Sequence, residues 1–286
     1  MSFRRLWNPT LILSLSPGLL VVGFFFALPL IVLFWVSLTD QFPGASHVTL
    51  KNYLEVLQSR FHLRSFLTSL KLSVVVTLLT GLIGYPISYY LVRVKSRWKG
   101  VVFIAILSPL LISLVVRSLG WMILLGRQGI INWILVQLGL IDQPIQLIYT
   151  FWAVIVGEVH VLLPFMVLSI TSVLNQVPSS LEDAAGILGA PPWRRFVSVT
   201  LPLSAPGLIA GCFLVFSLSM GSYITPQMLG GGKVGVVTLD IYDRMLVIMD
   251  WPVGAALAVV LMLSTLLAAL GMGYIQKRLG SSGGTV

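Results

Sequence analysis

The chain alternates long apolar runs with short polar intervals. Six runs are nearly free of charge: Leu11 to Leu38, Phe66 to Val92, Val101 to Leu125, Leu147 to Leu174, Leu203 to Ile224 and Pro252 to Ile275. A bilayer core about 30 Å thick needs about 20 residues of helix, so each run predicts a membrane span. The first follows Arg4 and Arg5 as a signal peptide would. It is too long for a signal core and no small-residue cleavage site follows, so it reads as a retained helix. The expected fold is all-α, a polytopic membrane protein with six transmembrane helices and both termini on one side. Residues 1–280 are expected to form one transmembrane domain, with a small, polar tail at 281–286 expected to be mobile. Lys51 to Arg60 suggests a short surface helix, and Gln143 to Gln146, around Pro144, a turn or re-entrant stretch.

Composition strengthens this picture. Of the 286 residues 57% are hydrophobic and 9% charged, against about 25% charged in a soluble domain. The mean hydropathy is +0.98. That excludes a disordered chain and a disulfide scaffold, and the lone Cys212 has no intrachain partner. The net charge of +9 comes from a shortage of acids, so it does not imply a nucleic-acid partner.

The charges also orient the spans. The termini and the intervals after the second and fourth runs carry Arg4, Arg5, Arg93, Lys95, Arg97, Lys99, Arg194, Arg195, Lys277 and Arg278 against Glu182 and Asp183. The remaining intervals, counted with Lys71 at the start of the second run, hold seven cations and six acids. Cations gather on the cytoplasmic side, so both termini are expected there. Anionic membrane lipid is expected as a secondary partner of the basic loops.

Motifs for hydrolytic or metal chemistry are missing. Gly230-Gly231-Gly232-Lys233-Val234 lacks the spacing and the hydroxyl of a phosphate-binding loop. His47, His62 and His160 are not spaced to share a metal, and no Gly-x-Ser-x-Gly occurs. No cofactor and no catalytic residue is expected in this chain.

The informative stretch follows the fourth run, from Val177 to Pro202. Pro178 and Ser179 or Ser180 can start a helix with Glu182 and Asp183 near its positive end. Gly189 permits a left-handed cap, and Pro191 and Pro192 suit the first turn of a second helix. Pro202 is expected to interrupt the approach to the fifth span. Ala184, Ala185 and Gly189 leave room for another protein to pack. This loop, residues 178–202, resembles the coupling motif of binding-protein-dependent ABC importer permeases, Glu-Ala-Ala-x3-Gly-x9-Ile-x-Leu-Pro. Asp183, Ala184, Ala185, Gly189, Val199, Leu201 and Pro202 stand at its places, Asp183 and Val199 replacing the usual Glu and Ile.

The strings Arg117-Ser118-Leu119-Gly120-Trp121-Met122, Gly221-Ser222-Tyr223-Ile224-Thr225-Pro226 and Asp250-Trp251-Pro252 resemble the first permease subunit of spermidine/putrescine-type importers. The resemblance implies the type I ABC importer permease fold in a bacterial inner membrane. It also implies a second homologous permease, two ATPase subunits that hold the loop, and a periplasmic or lipid-anchored substrate-binding protein. A polyamine or related small nitrogenous solute is the implied cargo, with an opine, a phosphonate or another organic solute as the alternative. Many polyamine members carry an acid where this chain has Gly221-Ser222-Tyr223, which weakens a dication as the cargo. An ion-gradient-driven secondary transporter is the alternative of another class, but it leaves the loop motif unexplained.

Two charges fall deep inside spans, Arg117 and Glu158, whereas Lys71 stands near the outer end of its own. Intramembrane charges cost about 2.5–3.5 kcal/mol each on insertion scales. They either pair to fix helix packing or line the substrate path. His160 lies roughly opposite Glu158 on its helix. Tyr85, Tyr89, Trp121, Trp152 and Tyr223 are candidate aromatics for that path, or interfacial anchors. Pro86, Pro109 and Pro164 are expected to break helices inside the bilayer and mark bends, and Gly207-x3-Gly211 a close helix contact.

Overall fold

The computed structural model describes residues 9–44 and 47–281. The expected tail, from residue 282 on, and Arg4 and Arg5 lie outside the described residues. The described chain is helical apart from turns and one isolated bridge between Thr39 and Val48. Six helical stretches among the described residues are long and apolar enough to cross a membrane. The helices are α1 Pro9–Ser37, α2 Lys51–Gln58, α3 Arg60–Arg93, α4 Lys99–Leu107, α5 Leu114–Leu125, α6 Ile130–Gln137 and α7 Phe151–Leu174. They continue as α8 Ser180–Ile187, α9 Pro192–Arg195, α10 Leu201–Met220, α11 Ile224–Gly230, α12 Val237–Tyr242 and α13 Trp251–Ser281. The chain divides into two compact units, Met1–Arg60 with Ile241–Val260, and Phe61–Asp240 with Leu261–Val286.

In the first unit, α1 leaves Phe25 and Phe26 more than 70% exposed, as a helix solvated by lipid can. The buried Asn52 of α2 donates to the carbonyls of Ser37 (2.9 Å) and Thr39 (2.8 Å). That satisfies the freed end of α1. Ser37 and Tyr53 share a hydroxyl bond of 2.6 Å. Arg244 reaches Asp250 at 3.1 Å and Glu55 at 3.6 Å.

The second unit is centred on α7. Val154, Ile155, Met166 and Ile170 of α7 are fully buried with Leu72 and Val76 of α3, Val215 of α10 and Leu229 of α11. α7 starts at Phe151, four residues after the expected start, because Thr150 caps it: Thr150 Oγ1 accepts from Ala153 N at 3.2 Å. Asn132 is buried and ties the α5–α6 turn to the following loop. It donates to Gly126 O and Ile145 O and accepts from Ile145 N, each at 3.0 Å. The buried His62 of α3 meets Asp240 of α12 at 2.6 Å.

Expectations about helix continuity are corrected. The third span is not one helix over Val101 to Leu125: the stretch long and apolar enough to cross is Leu114–Gln137, and Lys99–Leu111 is a shorter apolar piece before it. α4 passes into a 3₁₀ turn at Ser108–Leu111, the chain is extended at Ile112, and α5 begins at Leu114. Pro109 removes a backbone donor there. The break expected at Pro109 is thus present, whereas those expected at Pro86 and Pro164 are not, since both lie inside unbroken helices. The fifth span runs the other way: Pro202 does not interrupt it. A π-helical turn at Phe196–Thr200 joins α9 to α10, with Leu201 N bonding Phe196 O. The wider turn shifts hydrogen bonding by one residue where Pro202 could not have donated. The fifth span then stops at Met220, and Ile224 starts the separate α11.

Candidate functional site

The loop after α7 folds as two helical pieces around one turn. α8 carries Glu182 and Asp183 in its first turn. Its C-terminus closes on Gly189 at φ +82°, with Gly189 N bonding Gly186 O (2.9 Å) and Ala190 N bonding Ala185 O (3.0 Å). A left-handed residue here favours glycine. Pro191 then precedes α9, with Pro192 in its first position. Arg195 lies across the turn: its Nε donates to Ala190 O at 2.7 Å. A Cβ on Gly186 would stand 2.7 Å from its Cζ. The tip leaves Ile187 and Leu188 each 88% exposed, and Trp193 64%.

The loop is strapped to α3 by residues the motif does not contain. Arg93, last in α3, donates from Nε to Glu182 Oε1 (2.8 Å) and from a terminal nitrogen to Val177 O (3.0 Å). Tyr89 OH donates to the other oxygen of Glu182 at 3.3 Å. Phe196 receives the rings of Tyr85 and Tyr89 edge-on at 5.3 and 5.9 Å. Tyr85 also bonds Ser204 through its hydroxyl at 2.5 Å. These two tyrosines of α3 therefore pack against the loop that follows α7. In the sequence, only the basic charge of Arg93 and the acid of Glu182 hinted at this contact.

A cavity of about 530 Å³ opens among the 3₁₀ turn, α5, α7, α10 and α11, and both Arg117 and Glu158 line it. They do not form an ion pair, which corrects the first reading of the two charges: among the described residues no such bridge occurs. Arg117 instead donates to Pro109 O, a carbonyl in the break of the third span. Glu158 accepts from Ser219 near the end of α10. Tyr223 lines the same cavity, beside Ser222 and Thr225. Trp121 is turned elsewhere, donating from its indole nitrogen to His160 Nδ1 at 3.1 Å. His160 thus faces α5 while Glu158 faces α10, as their spacing on α7 requires. Trp152 is 66% exposed in the first turn of α7. So of the expected path residues, Arg117, Glu158 and Tyr223 meet in one cavity, and Tyr85, Tyr89 and Trp121 do not.

The comparisons agree with this architecture. Residues 3–281 match the family described as "Binding-protein-dependent transport system inner membrane component". The chain is 34% identical over 212 residues to the spermidine/putrescine transport system permease protein PotB of Haemophilus influenzae, covering 74% of each chain. It is 34% identical to PotB of Escherichia coli over 74% of this chain and 77% of that one. Over 93% of its length it is 31% identical to the trehalose/maltose permease MalF of Thermococcus litoralis, covering 94% of it. Among solved structures it is similar to a chain of a bacterial ABC transporter that imports alginate, with TM-score 0.80, 18% identity and coverage of 96% of this chain and 99% of that one. A chain of the MetNI methionine ABC transporter aligns at TM-score 0.60 and 19% identity, over 77% of this chain and 96% of that one. The chain belongs to the family of binding-protein-dependent transport system inner membrane components, and is a permease subunit of an ABC importer.

Proposed function

We propose that this permease carries a small nitrogenous solute, a polyamine or a related compound, across a bacterial inner membrane. It pairs with a second homologous permease and stands on two ATPase subunits, and a periplasmic or lipid-anchored binding protein supplies the solute. The α8–α9 turn carries this reading. Its exposed Ile187, Leu188 and Trp193 form a short apolar tip on a loop otherwise tied down by Arg93 and Arg195. Such a tip suits a cleft on another protein. Asp183, Ala184, Ala185, Gly189, Val199, Leu201 and Pro202 are the coupling residues in this reading. The relatives named for spermidine and putrescine support the choice of solute.

The test is a mild-detergent pull-down of the tagged chain, with mass spectrometry and an ATPase assay. An ATPase and a second permease should come with it. Gly189→Arg should abolish ATP-driven uptake while the protein stays in the membrane, since the site is left-handed and has nothing within 4 Å. A chain recovered alone, supporting uptake driven by an ion gradient, would overturn the reading in favour of a secondary transporter. Uptake of labelled spermidine and putrescine by cells carrying the whole system tests the solute.

A further inference from the structure

Two buried polar atoms in the cavity wall have no partner, and they are of opposite kind. Arg117 is 9% exposed and its Nε is unbonded; Glu158 is 2% exposed and its Oε1 is unbonded. Each residue is only partly satisfied, Arg117 by Pro109 O and Glu158 by Ser219, with Ser222 close enough to interact with it. Leaving a buried donor or acceptor unmet is costly, more so for a charged group. The two do not relieve each other, since they are not within ion-pair distance. Much of the remaining wall is apolar: Leu110, Ile112, Leu162, Phe165 and Leu218.

A solute that fits this wall must bring a cation for the carboxyl, an anion for the guanidinium and an apolar spacer between them. Glu158 is the sole acid among the lining residues. A diamine would leave its second ammonium without an acid and near Arg117, a like charge away from bulk water. A neutral sugar would leave both charges without a counter-ion. Guanidinium and carboxylate form the stronger, two-pronged kind of hydrogen bond. We propose that this cavity is a binding site for a small zwitterionic amine, with Glu158 receiving the ammonium and Arg117 the carboxylate. The inference rests on the permease reading above and, within its nitrogenous solutes, takes a zwitterionic relative over the polyamine itself.

The test uses the complete importer, with its partner subunits, in lipid nanodiscs without the binding protein. Equilibrium binding is measured with labelled 5-aminopentanoate, and putrescine serves as competitor. The two share a four-methylene spacer and differ in one end group, carboxylate against ammonium. 5-Aminopentanoate should bind, and putrescine should compete at least about tenfold less well. Glu158→Gln and Arg117→Gln should each weaken binding by about tenfold or more, with ATPase recovery in the complex unchanged. Putrescine competing equally or better overturns the proposal and leaves the polyamine reading standing. No binding of 5-aminopentanoate, or binding indifferent to both substitutions, overturns it as well. If a variant fails to assemble, the competition on the unaltered complex still decides. Failure of the importer reading shows separately, as absence of an ATPase from the complex.

Discussion

Arg93 holds the α8–α9 loop, for which we propose the coupling role, from outside the loop's own motif. Its guanidinium spans Glu182 and the carbonyl of Val177, and both side chains of the ion pair are less than 16% exposed. That sets it apart from a surface salt bridge, which is worth about 0–1 kcal/mol. A hydrogen bond to a charged group contributes about 1.5–3 kcal/mol. Arg93→Gln should therefore loosen α8 from α3 and lower the thermal inactivation midpoint of the purified complex by several degrees. It should also lower the solute moved per ATP hydrolysed, because α8 would move without carrying α3. Arg93→Lys keeps the charge without the two-pronged reach, and should fall between. Equal transport per ATP in all three proteins would show that the strap plays no part in coupling.

At the scale of elements, α7 and α10 meet through the glycine pair that the sequence marks. A Cβ on Gly207 would stand 2.8 Å from the backbone oxygen of Ser169 and 2.9 Å from Val173 Cβ. On Gly211 it would meet the sulfur of Met166 at 2.6 Å. Backbone cannot step aside, whereas a methionine end can. Gly207→Ala should thus cost about 1–3 kcal/mol and Gly211→Ala less, seen as the order of their thermal midpoints; the reverse order would contradict the packing described. This contact was legible because small residues four apart permit close helices whatever lies opposite. The six spans were legible for a similar reason, since apolar length alone implies them. The breaks were legible only in part: Pro109 marks a real one, but Pro86, Pro164 and Pro202 suggest breaks that do not form. Hydropathy does not change across Pro109 to Ser113, and whether a proline stops a helix depends on what satisfies the freed backbone. At Pro109 an arginine eight residues on takes the carbonyl. At Pro202 a π turn absorbs the fault. The strap from Arg93 to Glu182 spans 89 residues, beyond the reach of any local pattern.

For the molecule as a whole, the open question of orientation turns on how its basic residues are shared out. Ten cations stand against two acids on the termini and on the intervals after the second and fourth runs; the other intervals, counted with Lys71, hold seven against six. The bias is strongest in the short interval between α3 and α4, where Lys95, Arg97 and Lys99 follow Arg93. Short basic intervals beside a span weigh most in setting orientation, so this one should face the cytoplasm. The interval between α1 and α2 should then face outward. Cysteine labelling can decide it, because the half-buried Cys212 is the sole native thiol. In a Cys212→Ala background, Gln41→Cys and Val94→Cys place single thiols at exposed positions in the two intervals. A membrane-impermeant maleimide should label Gln41→Cys in intact spheroplasts and Val94→Cys only after permeabilisation. The opposite pattern would put the α8–α9 turn outside, away from ATP. It would remove the ATPase docking that the proposed mechanism requires, however well the fold matches.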